Sequence, residues 1–196
     1  IIPLYYFIQK EIISGYYSSF FIFTWIFFVY FFKNEKNTLK NIFLGKKDWI
    51  KKSFLGLVAG IVFCIHILMV VWISNNKNIF TINYEYEKIF THFFLEISFS
   101  LIGMEFLLRY LLFLRPIKKN GLGFLSATFL SNIFSLGIFL ININLTKNLA
   151  FIVATSFYTL MQGVTSCYIA YKTKSILPSI LFGLVISVFL FILFFN

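Results

Sequence analysis

Across 196 residues the chain is 60% hydrophobic and only 12% charged, with 17 basic residues against 7 acidic ones and a net charge of +10. A water-soluble domain of this size cannot hide so much apolar surface, because its own exterior would stay sticky. The positive charge sits in short segments between apolar runs, as in cytoplasmic loops, which excludes a nucleic-acid surface and predicts an all-α integral membrane protein.

A membrane span needs about 20 apolar residues. Residues 1–14 are apolar but broken by Lys10 and Glu11, and read as a partial or tilted helix. No A-x-A-like site marks a cleavable signal peptide. The first clear span is 16–32. Residues 33–52 then carry Lys33, Lys36, Lys40, Lys46, Lys47, Lys51 and Lys52 against Glu35 and Asp48. Leu39, Ile42, Phe43 and Ile50 recur there at helical spacing. The segment reads either as a basic amphipathic helix on anionic headgroups or as an ordinary basic cytoplasmic loop.

Further spans are predicted at 53–73, 88–114, 122–143, 149–171 and 176–195, giving a polytopic bundle of six to seven spans in one domain, 1–196. Arg115, Lys118 and Lys119 follow the third clear span, and Lys172 and Lys174 follow the fifth. The loops after the second and fourth spans are near-neutral. The positive-inside rule places 33–52, 115–119 and 172–174 in the cytoplasm.

Ionisable groups inside spans are costly, so each is a candidate site. Glu105 and Arg109 stand at i and i+4, on one helix face, near the cytoplasmic end of the third clear span. They read as a buried ion pair, or Arg109 snorkels to the headgroups. His92 and Glu96 form a second i, i+4 pair about two turns towards the outer face, a possible metal or proton site and more ordinarily a polar contact. His66 is alone in an apolar helix and is expected in the core or at an interface. Asn132, Gln162 and Ser166 are of the kind that bond across helices, and Ala154, Ser156, Gly163 and Ser166 let helices approach closely. Cys64 and Cys167 lie within spans and form no framework. No HExxH, GxSxG or Gly-rich phosphate loop is present, and no metal or cofactor is expected.

The segment Met104-Glu105-Phe106-Leu107-Leu108-Arg109-Tyr110-Leu111-Leu112 resembles the first motif, EExxxR, of the CPBP (Abi) family of CAAX proteases and bacteriocin-processing or bacteriocin-immunity membrane proteins. Residues 125–139 are similar to that family's second helix, with Phe134 as the Phe of FxxxH, and 173–187 to its closing helix. The resemblance covers about 90–195. It implies a membrane bundle and, in active members, glutamate-dependent peptide hydrolysis. Here the first Glu is Met104. The FxxxH histidine falls on Ile138, the last histidine on Phe182 or Gly183, and its Asn on Ile186 or Ser187. Met and Ile can neither activate water nor stabilise an oxyanion. The resemblance therefore implies a non-catalytic member in a bacterial cell membrane. Such a protein acts as scaffold, regulator or immunity-type partner of another membrane or envelope protein, with Glu105 and Arg109 as vestiges. The alternatives are a protease with a divergent centre of Glu105, His92 and Glu96, and a small-solute transporter subunit.

Overall fold

Residue 29 and the stretches 48–74, 98–142 and 149–194 are described by a computed structural model, which is helical throughout these stretches apart from short turns, with no strand among the described residues. All of the predicted first span but Val29, most of segment 33–52, and both His92 and Glu96 lie outside them.

Helix α1 (Trp49–Ser74) starts four residues ahead of its predicted span. Asp48 lies in the left-handed region at φ 57°, and its carbonyl accepts the Lys52 N–H at 3.1 Å, closing the first turn. Over Trp49–Val70, 22 residues, α1 is long and apolar enough to cross a membrane. Shorter apolar stretches occur at Phe124–Ile138 and Leu177–Phe189.

Gly56 and Gly60 fall on one face of α1, and that face lies along α6 (Leu177–Phe194). A Cβ on Gly56 would collide with the Pro178 carbonyl, and one on Gly60 would come within 2.9 Å of Val185 Cβ. Glycine is what lets the two backbones touch. Gly56 meets Pro178, Gly60 meets Val185, and Cys64 Sγ lies 3.9 Å from the Val185 carbonyl, so the helices run parallel. Cys64, Ile169, Phe182 and Ile186 form the core beneath this seam.

The next rod has three parts. Helix α2 (Ser98–Glu105) passes into a π-helical segment, Phe106–Leu114, and then into α3 (Arg115–Asn120). The Arg115 N–H reaches back five residues to the Tyr110 carbonyl, the π register. Pro116, one residue on, has no N–H to give, and its ring opposes the α register towards the carbonyl four residues back. The basic stretch 115–119, expected as a loop, is thus helix. Gly121, at φ 66°, ends the rod, and the N–H groups of Gly121 and Leu122 converge on the Pro116 carbonyl.

The rod runs antiparallel to α6. Leu101 lies against Gly183, Glu105 reaches Ser179, and Phe106 and Tyr110 pack with Ile176 and Ile180. Helices α4 (Phe124–Asn142) and α5 (Leu149–Thr173) cover its other side, where Phe113, Ala127, Cys167 and Ala170 close a third core. In the turn from α5 to α6, Thr173 Oγ1 donates to the Ile169 carbonyl at 2.7 Å and Lys174 adopts φ 53°. This topology brings Lys51, Lys52, Lys118, Lys119, Lys172 and Lys174 to one end of the bundle. The opposite helix ends, at Ser74, Ser98, Asn142, Leu149 and Phe194, carry no charge.

Besides its apolar cores the fold buries polar groups and leaves large apolar ones exposed. Ser131, Ser166, Ser175 and Ser179 are buried, as are Glu105 and Arg109. Phe54, Val62, Met69, Leu125, Phe129 and Phe157 face outward.

Candidate functional site

The site grows from the π-helical segment. Glu105, at its leading edge, is 4% exposed, and Arg109, four residues on, is 2% exposed. Arg109 Nε stands 3.4 Å from Glu105 Oε2, an ion pair by distance rather than an aligned hydrogen bond. Arg109 Nη1 donates to Ser131 Oγ on α4 at 2.7 Å and to Cys167 Sγ on α5 at 3.3 Å. Ser131 Oγ in turn donates a hydrogen bond to the Leu108 carbonyl at 2.9 Å. On the other flank Ser179 Oγ, from the first turn of α6, donates to Glu105 Oε2.

One ion pair therefore ties the π segment to three other helices. Burial of a lone charge in so apolar a setting is prohibitive, and pairing with added hydrogen bonds is what makes it tolerable. The snorkelling alternative for Arg109 fails: its guanidinium is fixed inward by Ser131 and Cys167.

The positions that the CPBP resemblance assigns to histidine and asparagine hold packing instead. Phe182 is fully buried with its ring 5.7 Å from that of Phe63, and Ile186 lies in the same core. A Cβ on Gly183 would come within 3.0 Å of Leu101. Besides Glu105, the described residues contain one acid, Asp48 at the start of α1, and one imidazole, His66. No group of three metal-ligating side chains occurs among the described residues. Among the described residues the Glu105 carboxylate is held by a guanidinium and a hydroxyl, an arrangement that anchors helices to one another.

His66 is an interface residue rather than a core one. It is exposed on α1, with its ring 6.1 Å from that of Tyr158 on α5. Gly163 is the predicted point of close approach: a Cβ there would strike Asn132 Oδ1. Asn132 and Ser166 do not bond across helices as expected. Asn132 Nδ2 donates within its own helix to the Thr128 carbonyl at 2.8 Å. Asn132 Oδ1, which abuts Gly163, and Ser166 Oγ find no hydrogen-bond partner among the described residues. Gln162 and Ser156 are half-buried, and Ala154 is exposed.

Sequence reasoning missed three contributors. Ser131, Ser179 and Cys167 complete the ion pair, and only tertiary placement reveals them. The Gly56–Gly60 seam was legible as a G-x-x-x-G spacing in an apolar run. No family model, curated protein or solved structure matches the chain.

Proposed function

We propose that the chain is a multi-pass protein of a bacterial cell membrane, a non-catalytic relative of the CPBP proteins that serves as scaffold, regulator or immunity-type partner of another membrane or envelope protein. The exposure of large apolar side chains, with Glu105 and Arg109 paired in the interior, supports the membrane setting. Gathering of the described lysines at one end supports a cytoplasmic placement for that end. Its exposed aromatics, Trp49, Tyr168 and Tyr171, suit the headgroup level.

The carrying observation is that the polar groups of the site are spent on one another. Glu105 is engaged by Arg109 and Ser179, and Arg109 by Ser131 and Cys167. Such a network serves as a lock between helices, and the positions that the resemblance assigns to the last histidine and its asparagine include the apolar, buried Phe182 and Ile186.

The test is purification from native membranes in mild detergent, with mass analysis of the intact assembly. The expected result is a stoichiometric complex with one membrane or envelope protein, which survives Glu105→Gln if the helices stay folded. A protein that runs alone, and whose Glu105→Gln variant loses hydrolysis of a prenylated or leader-bearing peptide, overturns the reading in favour of the protease. A lone protein stabilised by a small solute overturns it in favour of the transporter subunit.

A further inference from the structure

Helical hydroxyl groups in this chain have a default partner. Ser53, Thr128, Thr159, Thr165 and Thr173 each donate to the carbonyl four residues back, at 2.7–2.9 Å. Ser131 and Ser179 leave that pattern because the Leu108 carbonyl and Glu105 engage them instead. Ser166 on α5, 0% exposed, leaves it too, yet its Oγ has no hydrogen-bond partner among the described residues. Asn132 on α4, 6% exposed, is half-satisfied: Nδ2 donates to the Thr128 carbonyl, and Oδ1 receives no hydrogen bond. A third buried atom of this kind, Arg109 Nε, faces Glu105 Oε2 at 3.4 Å and is paired by charge.

Asn132 and Ser166 belong to one layer of the α4–α5 contact. Helix α5 meets α4 on both sides of Ser166. At Gly163 it meets Asn132, whose Oδ1 lies where a Cβ would stand. At Cys167 it meets Ser131, through the Arg109 Nη1 that donates to both. Positions three apart, such as Gly163 and Ser166, are neighbours on one helix face, with Cβ sites about 5–6 Å apart. A helical side chain leans towards the N-terminus of its helix, so that of Ser166 leans towards the Gly163 turn and Asn132 Oδ1. That spacing is too long for a direct hydrogen bond and suits one intervening molecule. The side chains bordering it, those of Ser131 and Cys167, are small, and Gly163 has none. Asn132 Oδ1 calls for a donor, and Ser166 Oγ accepts or donates. An anion has no proton to give Oδ1, and a metal cation would stand beside the Arg109 guanidinium. Water meets both demands.

We propose that a single internal water molecule is bound between α4 and α5, donating to Asn132 Oδ1 and sharing a hydrogen bond with Ser166 Oγ. Internal waters bind where the protein leaves buried polar groups unpaired. The water joins the two helices beside the Arg109 tie, so their contact combines a charged link with a hydrated one. The inference is independent of the function proposed above.

The test is a density map of the full chain at a resolution that shows ordered waters, together with unfolding of variants in detergent. One peak is expected within hydrogen-bond distance of both atoms. If Ser166 Oγ were simply unpaired, Ser166→Ala would leave stability unchanged or raise it. With the water in place, Ser166→Ala is expected to lower the folding equilibrium constant about fivefold. The same change is expected to matter much less once Asn132→Ala has removed the other end of the bridge. A map with no peak there, a peak touching only one of the two atoms, or a direct Asn132–Ser166 bond overturns the proposal. So does a Ser166→Ala variant without loss, or a loss that is the same with and without Asn132→Ala.

Discussion

The seam between α1 and α6 and the lock around Arg109 hold helices together by opposite means. At the seam the chain removes side chains, so that Gly56 lets one backbone lie on the Pro178 carbonyl of the other. At the lock it adds charge, and a guanidinium reaches across from the π segment to α4 and α5. The membrane setting proposed above would explain why both are needed. Where the exterior is as apolar as the core, hydrophobic burial gives little preference for one helix pairing over another, and close packing and hydrogen bonds must supply it. The seam is generic, because many smooth faces would fit it. The lock is specific, because only one arrangement satisfies Glu105, Arg109, Ser131 and Ser179 together.

That contrast predicts an order of fragility, readable by thermal or denaturant unfolding in detergent. Arg109→Leu strands the Glu105 carboxylate in the interior and is expected to cost about 3–5 kcal/mol. The double change Glu105→Leu with Arg109→Leu is expected to cost less than Arg109→Leu alone, since no charge is then left unpaired. A double variant worse than the single one would show that the pair stabilises the fold in its own right. Gly56→Ala comes next, at about 1–3 kcal/mol, because the obstacle is a backbone carbonyl that cannot rotate aside. Gly60→Ala is expected to be milder, as its nearest obstacle, Val185 Cβ, stands at 2.9 Å and a small shift relieves it. If Gly56→Ala proves silent, the two helices do not touch as described.

Ser179→Ala removes one hydrogen bond to a buried carboxylate and is expected to cost about 1.5 kcal/mol. The smallest effect has the opposite sign. A Cβ at Gly137, inside α4, meets nothing within 4 Å. Gly137→Ala is therefore expected to stabilise by roughly 0.5–1 kcal/mol through helix propensity alone. A loss there would mean that the outward face of α4 is covered by something.

Much of this was legible in the residues. Apolar runs gave helices α1, α4, α5 and α6 to within a few residues at each end. The i, i+4 spacing of Glu105 and Arg109 announced an ion pair, and Gly163 a close approach. The π register was not legible, because it depends on which carbonyl the Arg115 N–H selects, and apolar periodicity barely changes over nine residues. The basic residues of 115–119 read as a loop after an apolar span, yet the segment is helix, and the missing N–H of Pro116 is accommodated where one helical register gives way to another. The partners of the ion pair were hidden for a different reason. Ser131, Cys167 and Ser179 are small, common residues whose meaning comes only from the helix that faces them. Lys118, Lys119 and Lys172 looked like two separate loops until the topology set them at one end of the bundle.

The parallel seam also sets an order of events during synthesis. Cys64 and Val185, which meet across it, are 121 residues apart in the chain. At ordinary translation speeds α1 is complete roughly ten seconds before α6 exists. For that interval the Gly56–Gly60 face is finished, smooth and unclaimed, and a second newly made α1 would fit it as readily as α6 does. Arg109 meets Ser131 sooner, since only 22 residues separate them. The central rod and α4 can thus be fixed while α1 still waits, which makes the first described helix in sequence the last to be committed.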